Sequence, residues 1–142
     1  MRIEWSPDLA VGVDFIDAQH KELFRRTNAL LEACVRGEGR EAVVSTITFL
    51  TQYVVEHFNA EEAAMRSARY EGFAEHARMH REFRQTVDDF AREIMQRGVG
   101  ADTIIRVNRM IVAWLNNHIR KVDKEMAVGI CKTAPEVLAT RT

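Results

Sequence analysis

The stretch from His57 to His80, HFNAEEAAMRSARYEGFAEHARMH, decides how the rest of the chain is read. It holds two pairs of metal-competent side chains, His57 with Glu61 and His76 with His80, each pair four residues apart. On an α-helix that spacing means one face and adjacent turns, so each pair can aim two donors at one point. Between the pairs, Ser67 to Gly72 breaks the apolar pattern. The pairs therefore fall on two successive helices and look like two walls of one site.

Working outward, Val43, Ile47, Leu50, Val54, His57, Phe58, Glu61 and Met65 recur at helical steps and predict a helix from near Glu41. Phe73, His76, His80, Phe83, Val87, Phe90 and Ile94 do the same for the next helix. Before them, Ile16, His20, Leu23, Phe24, Thr27, Leu30, Leu31 and Cys34 predict a first helix, capped by Asp14 and ended by Gly37 and Gly39. After Gly98 and Gly100, with Asp102 as cap, a fourth stripe runs through Ile104, Val107, Ile111, Trp114, Leu115, His118 and Val122. Residues 1 to 16 hold Ser6-Pro7 and Gly12 without a helical period and predict an extended lead-in, with Trp5 and Phe15 covering an apolar surface. Beyond Glu125, Gly129 and Pro135 accompany a loss of periodicity. The expectation is an all-α, antiparallel up-down-up-down four-helix bundle with an N-terminal extended segment and a short C-terminal tail. The whole chain, 1 to 142, reads as a single domain, the bundle spanning about 14 to 125 and an appendage 126 to 142.

Composition narrows the function classes. The chain is 46% hydrophobic and 29% charged with a formal net charge of -1, which implies neither a basic face for nucleic acid nor an acidic tail. No run approaches the roughly 20 apolar residues of a membrane span, and Met-Arg-Ile-Glu-Trp lacks a signal-peptide layout, so a cytoplasmic protein is expected. Cys34 and Cys131 have no CxxC spacing and read as small hydrophobes rather than as a disulfide or thiolate site.

One histidine on an apolar stripe is most simply a hydrogen-bonded core imidazole. Here all five histidines of the chain, His20, His57, His76, His80 and His118, lie on predicted inward faces, with Glu61 among them. Burying them unpaired would cost about 1 to 3 kcal/mol for each polar group, a cost a metal centre removes. In an antiparallel bundle the start of the first helix, the end of the second, the start of the third and the end of the fourth share one end. All five histidines converge there.

Asp123, five residues after His118, is less direct. On a regular helix it points roughly 140° away from His118. Either the helix is locally unwound, or the two side chains reach different parts of the site; a solvated acid is an equal reading. Five imidazoles and two carboxylates are too many donors for one tetrahedral zinc and suit two metals sharing bridging carboxylates. Imidazole suits iron, copper or zinc alike. The third-helix pair lacks the glutamate of HExxH, and no C-x-x-C-H is present for haem.

With these residues in this order, the chain resembles the haemerythrin family in its single-domain bacterial form. The likeness rests on Ile16-Asp-Ala-Gln-His20-Lys, His57-Phe-Asn-Ala-Glu61-Glu62, Tyr70 followed by His76-x-x-x-His80, and Trp114-Leu-Asn-Asn-His118-Ile-x-x-x-Asp123. It implies two non-haem iron ions with an oxo or hydroxo bridge. Glu61 and Asp123 would bridge the irons, and a bridging Asp123 need not point as His118 does. His76, His80 and His118 would fill one iron. His20 and His57 would hold the other, leaving a position for dioxygen on the side of the first two helices. Trp114, Leu115 and Ile119 fall at family pocket positions and would form a dry wall there, while also serving as core. The implied function is reversible dioxygen binding for carriage, storage or delivery, without catalysis. Its alternatives are a di-iron enzyme reducing peroxide or nitric oxide, and an oxygen or redox sensor acting through a separate partner. Tyr53, one turn before His57, reads as packing, and Glu62 as a solvated acid or one standing behind a ligand.

Overall fold

The computed structural model describes residues 4–134. Among them are helices and no strands. After a 3-10 turn at Pro7–Leu9 come α1 (Asp14–Val35), α2 (Gly39–Ala68), α3 (Phe73–Arg97) and α4 (Ala101–Ala113). A π-helical segment, Trp114–Asp123, continues α4 without a break and passes into α5 (Lys124–Thr133). The last three elements form one rod, so the bundle has four members, as the four apolar stripes predict.

Short turns make the neighbours antiparallel. Gly37 and Gly98 take φ values of 77° and 74°, which end α1 and α3 at little steric cost. At the α2–α3 turn the same left-handed backbone is taken by Arg69, with φ 53°. There Tyr70 N–H reaches back to the Met65 carbonyl at 3.0 Å. Gly39 opens α2 rather than ending α1; a Cβ on it would come within 3.2 Å of Cys34 Sγ and Ile104 Cδ1.

Two expected caps are placed differently. α1 begins at Asp14 itself, with Val13 at the cap position and no side-chain cap. Asp102 lies inside the first turn of α4, where the cap is Gly100 and its N–H donates to Thr103 Oγ1 at 3.2 Å. Both acids sit at the positive end of a helix dipole instead. Of the lead-in aromatics, Trp5 packs on the core under Lys21, whereas Phe15 is 49% exposed. The lead-in is pinned by Val11 N–H to Asp17 Oδ1 at 2.8 Å and by Lys124 Nζ to the Ala10 carbonyl at 3.0 Å.

The core is in two main parts. The larger contains Leu23, Phe24, Leu50, Val54, Phe58, Phe83, Val87, Val107, Ile111, Leu115 and Ile119. The smaller gathers Ala64, Met65 and Ala68 of α2 with Met126 and Ile130 of α5, against Tyr70 and Phe73. Helix therefore continues past Glu125 to Thr133, because Met126 and Ile130 bury completely against α2. Pro135 and the rest of the expected tail lie outside the described residues. Along α2, His57 and Glu61 fall between Val54 of the larger cluster and Met65 of the smaller. The polar end of the bundle is thus enclosed by apolar packing.

Candidate metal centre

The fold brings all seven donors named from the sequence to one buried place. His20, His57, Glu61 and Asp123 are fully buried, and His76, His80 and His118 are nearly so. α1 brings His20, α2 His57 and Glu61, α3 His76 and His80, and the π segment His118 and Asp123. In a π-helix the backbone bonds close from residue i to i+5, so residues five apart come onto nearly one face. That local unwinding is how Asp123 turns inward together with His118.

The donors fall into two sets that share both carboxylates. Glu61, His76, His80, His118 and Asp123 form one; His20, His57, Glu61 and Asp123 form the other. Within each set the ligand atoms lie within 4.8 Å of one another. Glu61 Oε1 is 3.2 Å from His76 Nε2 and 3.1 Å from His80 Nε2, while its Oε2 is 3.0 Å from His57 Nε2 and 3.3 Å from His20 Nε2. Asp123 Oδ1 is 3.0 Å from both His76 and His118 Nε2, and its Oδ2 is 3.2 Å from His20 Nε2. Each carboxylate thus turns one oxygen to each set.

Glu61 Oε2 and both Asp123 oxygens are buried near these nitrogens without a hydrogen bond among the described residues. Some of the nitrogens do pair, His20 Nε2 with His57 Nε2 at 2.9 Å and His76 and His80 Nε2 with Glu61 Oε1, but three inward carboxylate oxygens stay unmatched, more acceptors than the cluster itself supplies donors for. Water is excluded, so leaving such carboxylates unmatched would be costly. A cation is the group that fits.

Electrostatics point the same way. Burial alone would depress His20, but the Asp123 and Glu61 carboxylates outweigh it and hold the imidazole at about 10. His76 is held at about 9 by the same balance. Burial dominates at His57 and lowers it. Burial would raise Glu61 and Asp123, yet the surrounding imidazoles keep both below the usual carboxylate range. The cavity therefore carries negative charge that bound protons partly neutralise, and a metal must displace them.

Aromatic rings hold the imidazoles in place. Phe58 stacks on His80 and Trp114 on His118, each with ring centroids 3.8 Å apart. Trp114 also stacks on Phe83 at 4.0 Å. Leu115 and Ile119 are fully buried in the larger core cluster. Tyr53 stacks on His57 at 4.9 Å, and its buried hydroxyl has no hydrogen-bond partner among the described residues. Burial and then the charges of Glu61 and Asp123 raise its pKa well above the ordinary value. The sequence reading missed Gln19, whose Oε1 accepts from His57 Nδ1–H at 2.7 Å. Its only sequence signal was its place beside His20.

Fold and site together define an antiparallel helical bundle with a buried histidine–carboxylate metal centre. The model of the family described as "Hemerythrin HHE cation binding domain" matches residues 11–128, and the chain belongs to the haemerythrin family. A bacteriohemerythrin of Stenotrophomonas maltophilia is 33% identical over 123 residues, covering 87% of this chain and 78% of the relative. One of Methylococcus capsulatus is 33% identical over 129 residues, covering 89% and 93%. A wild-type hemerythrin crystal structure matches with a TM-score of 0.74 at 30% identity, over 90% of this chain and 97% of the other.

Proposed function

We propose that this chain, as a single haemerythrin-like domain in the cytoplasm, binds dioxygen reversibly at a non-haem di-iron centre. The observation that carries the proposal is the pair of donor sets joined by Glu61 and Asp123, one with three imidazoles and the other with two. Glu61 and Asp123 would bridge the two irons. His76, His80 and His118 would fill one, and His20 and His57 would leave a position free on the other. Two irons with an oxo or hydroxo bridge, held there, would supply the electrons that dioxygen binding requires.

The chain's own residues do the rest. Nδ1–H of His57 and of His80 donates outward, to Gln19 and Glu62, which leaves each Nε2 lone pair facing the site. Phe58 and Trp114 hold the His80 and His118 rings by stacking. Trp114, Leu115 and Ile119 would keep water away from the centre. His20 of α1 and His57 of α2 form the two-imidazole set, so dioxygen would bind on that side, where Tyr53 stacks on His57.

The proposed role is carriage, storage or delivery rather than catalysis. The test is iron content with an absorption spectrum of the anaerobically reduced protein, before and after air. A coloured adduct that vacuum removes is expected. A colourless, oxygen-indifferent protein would overturn the reading, and sustained peroxide or nitric oxide consumption above the free-iron rate would replace it with an enzyme.

A further inference from the structure

Two of the five imidazoles are gripped from behind by groups of different charge. His57 Nδ1–H donates to the Gln19 amide oxygen at 2.7 Å. His80 Nδ1–H donates to the Glu62 carboxylate at 2.8 Å. Each acceptor is the sequence neighbour of a donor on the adjoining helix: Gln19 precedes His20 on α1, and Glu62 follows Glu61 on α2. So α1 orients a ligand of α2, and α2 orients a ligand of α3. Glu62 is not a free surface acid; its side chain is 22% exposed and accepts the hydrogen bond of the buried His80.

The two acceptors do different electronic work. A carboxylate behind a ligating imidazole draws its proton outward, raises the basicity of Nε2 and favours the more highly charged metal. A neutral amide fixes the same tautomer with little such effect. His80 belongs to the three-imidazole set and His57 to the two-imidazole set. We propose that Glu62 and Gln19 are positioning residues that make the two metal positions electronically unequal, Glu62 favouring the oxidised state where His80 binds and Gln19 leaving the His57 position easier to keep reduced. The inference rests on the di-iron reading.

The test exchanges the two acceptors in the full chain with the near-isosteric variants Glu62→Gln and Gln19→Glu. Iron per chain, the midpoint potential from a mediated redox titration, and Co2+ affinity of the metal-free protein are read for each. Glu62→Gln keeps an acceptor for His80, so a merely structural role predicts no change in potential. The expected result is a higher potential and about 10- to 100-fold weaker Co2+ binding. Gln19→Glu is expected to lower the potential and tighten Co2+ binding. A Glu62→Gln protein with two irons and the parent potential would overturn the inference, as would a Gln19→Glu protein whose potential is unchanged or raised. Should Glu62→Gln fail to fold, Gln19→Glu decides alone. A parent chain that takes up no iron would overturn the di-iron reading instead, a different outcome.

Discussion

α3 and the π segment each deliver two donors to the same centre, by different means. α3 uses His76 and His80, four residues apart on a regular helix, with their rings 4.6 Å from centroid to centroid. The rod uses His118 and Asp123, five apart, and the backbone loosens into a π-helix over Trp114–Asp123 to turn both inward. A regular helix presents an i, i+4 pair without local cost. The π segment gives up regular hydrogen bonding and is held by what surrounds it: Trp114 stacked on His118, Leu115 and Ile119 in the core, and Met126 and Ile130 anchoring the helix beyond. Where the donor spacing fits the helix, side chains do the positioning; where it does not, the backbone yields.

The largest test of that contrast removes the donor that the π segment alone supplies. Asp123 lies 3.0 to 3.2 Å from three imidazoles in both sets, whereas His80 belongs to one set. Asp123→Ala is expected to abolish two-metal loading. His80→Ala is expected to keep His20, His57, Glu61 and Asp123 together and retain metal there. Metal per chain after reconstitution and desalting decides between them. Equal losses in the two variants would mean that the rod and α3 are interchangeable as supports.

How much of this could be read from residues follows the same division. Each i, i+4 pair was legible because a regular helix maps spacing onto direction, and the four apolar stripes fixed which helix ends meet. Asp123 was only half legible. No glycine or proline marks the stretch from Trp114 to Asp123, so nothing in the local sequence announces the π-helix there. Gly129 misled in a different way. It reads as a helix stop, yet it lies within α5, where a Cβ would come 2.5 Å from Tyr70 Cε1. Its purpose is close approach of a ring, not termination. Gln19 was invisible because an amide next to a ligand looks like any polar surface residue until the bundle closes.

A second expected effect concerns protons and separates the metal-free from the metal-loaded site. His20 and His76 are held near 10 and 9 by Glu61 and Asp123, above the unfolded value of about 6.5. Their contribution to folding is full below about pH 6.5 and is lost as pH rises through those folded values. The carboxylates, held low, contribute above about pH 4.5 and lose that contribution as pH falls. His57, lowered by burial, takes stability away as pH falls below about 6.5, so metal-free protein should be most stable toward the upper end of the window from about pH 4.5 to 6.5 and weaken toward pH 10. Metal loading should release protons and remove the alkaline decline. Melting temperatures of chelator-treated and loaded protein across that range check this. A metal-free melting temperature that is flat from pH 6 to 10 would contradict it.

A smaller effect tests the anchor beyond the π segment. Gly129→Ala would gain about 1 kcal/mol of helix propensity. The added methyl meets the stiff Tyr70 ring, and overpacking of that kind costs about 1 to 3 kcal/mol. A net fall in stability is expected. Adding Tyr70→Ala should reverse the sign of the Gly129→Ala step, since the clash is then gone and the propensity gain remains. Denaturant midpoints of the four proteins measure the coupling. Additive effects would show that α5 is not held against this turn.

The smallest effect lies at the join between the two regular walls. Arg69 ends α2 in the left-handed region, where a residue with a Cβ pays for its backbone conformation and glycine does not. Its side chain is exposed, and the turn's hydrogen bonds come from backbone atoms, Arg69 N–H to Arg66 O and Tyr70 N–H to Met65 O. Arg69→Gly keeps those bonds and removes the strain, while the greater freedom of glycine in the unfolded chain offsets part of the gain. A stabilisation of about 0.5 to 1 kcal/mol is expected, with metal content unchanged. Chemical denaturation of the metal-free protein measures it. A loss of stability would mean that the Arg69 side chain, not the backbone alone, holds α2 to α3, and the regular walls would then depend on tertiary support as the π segment does.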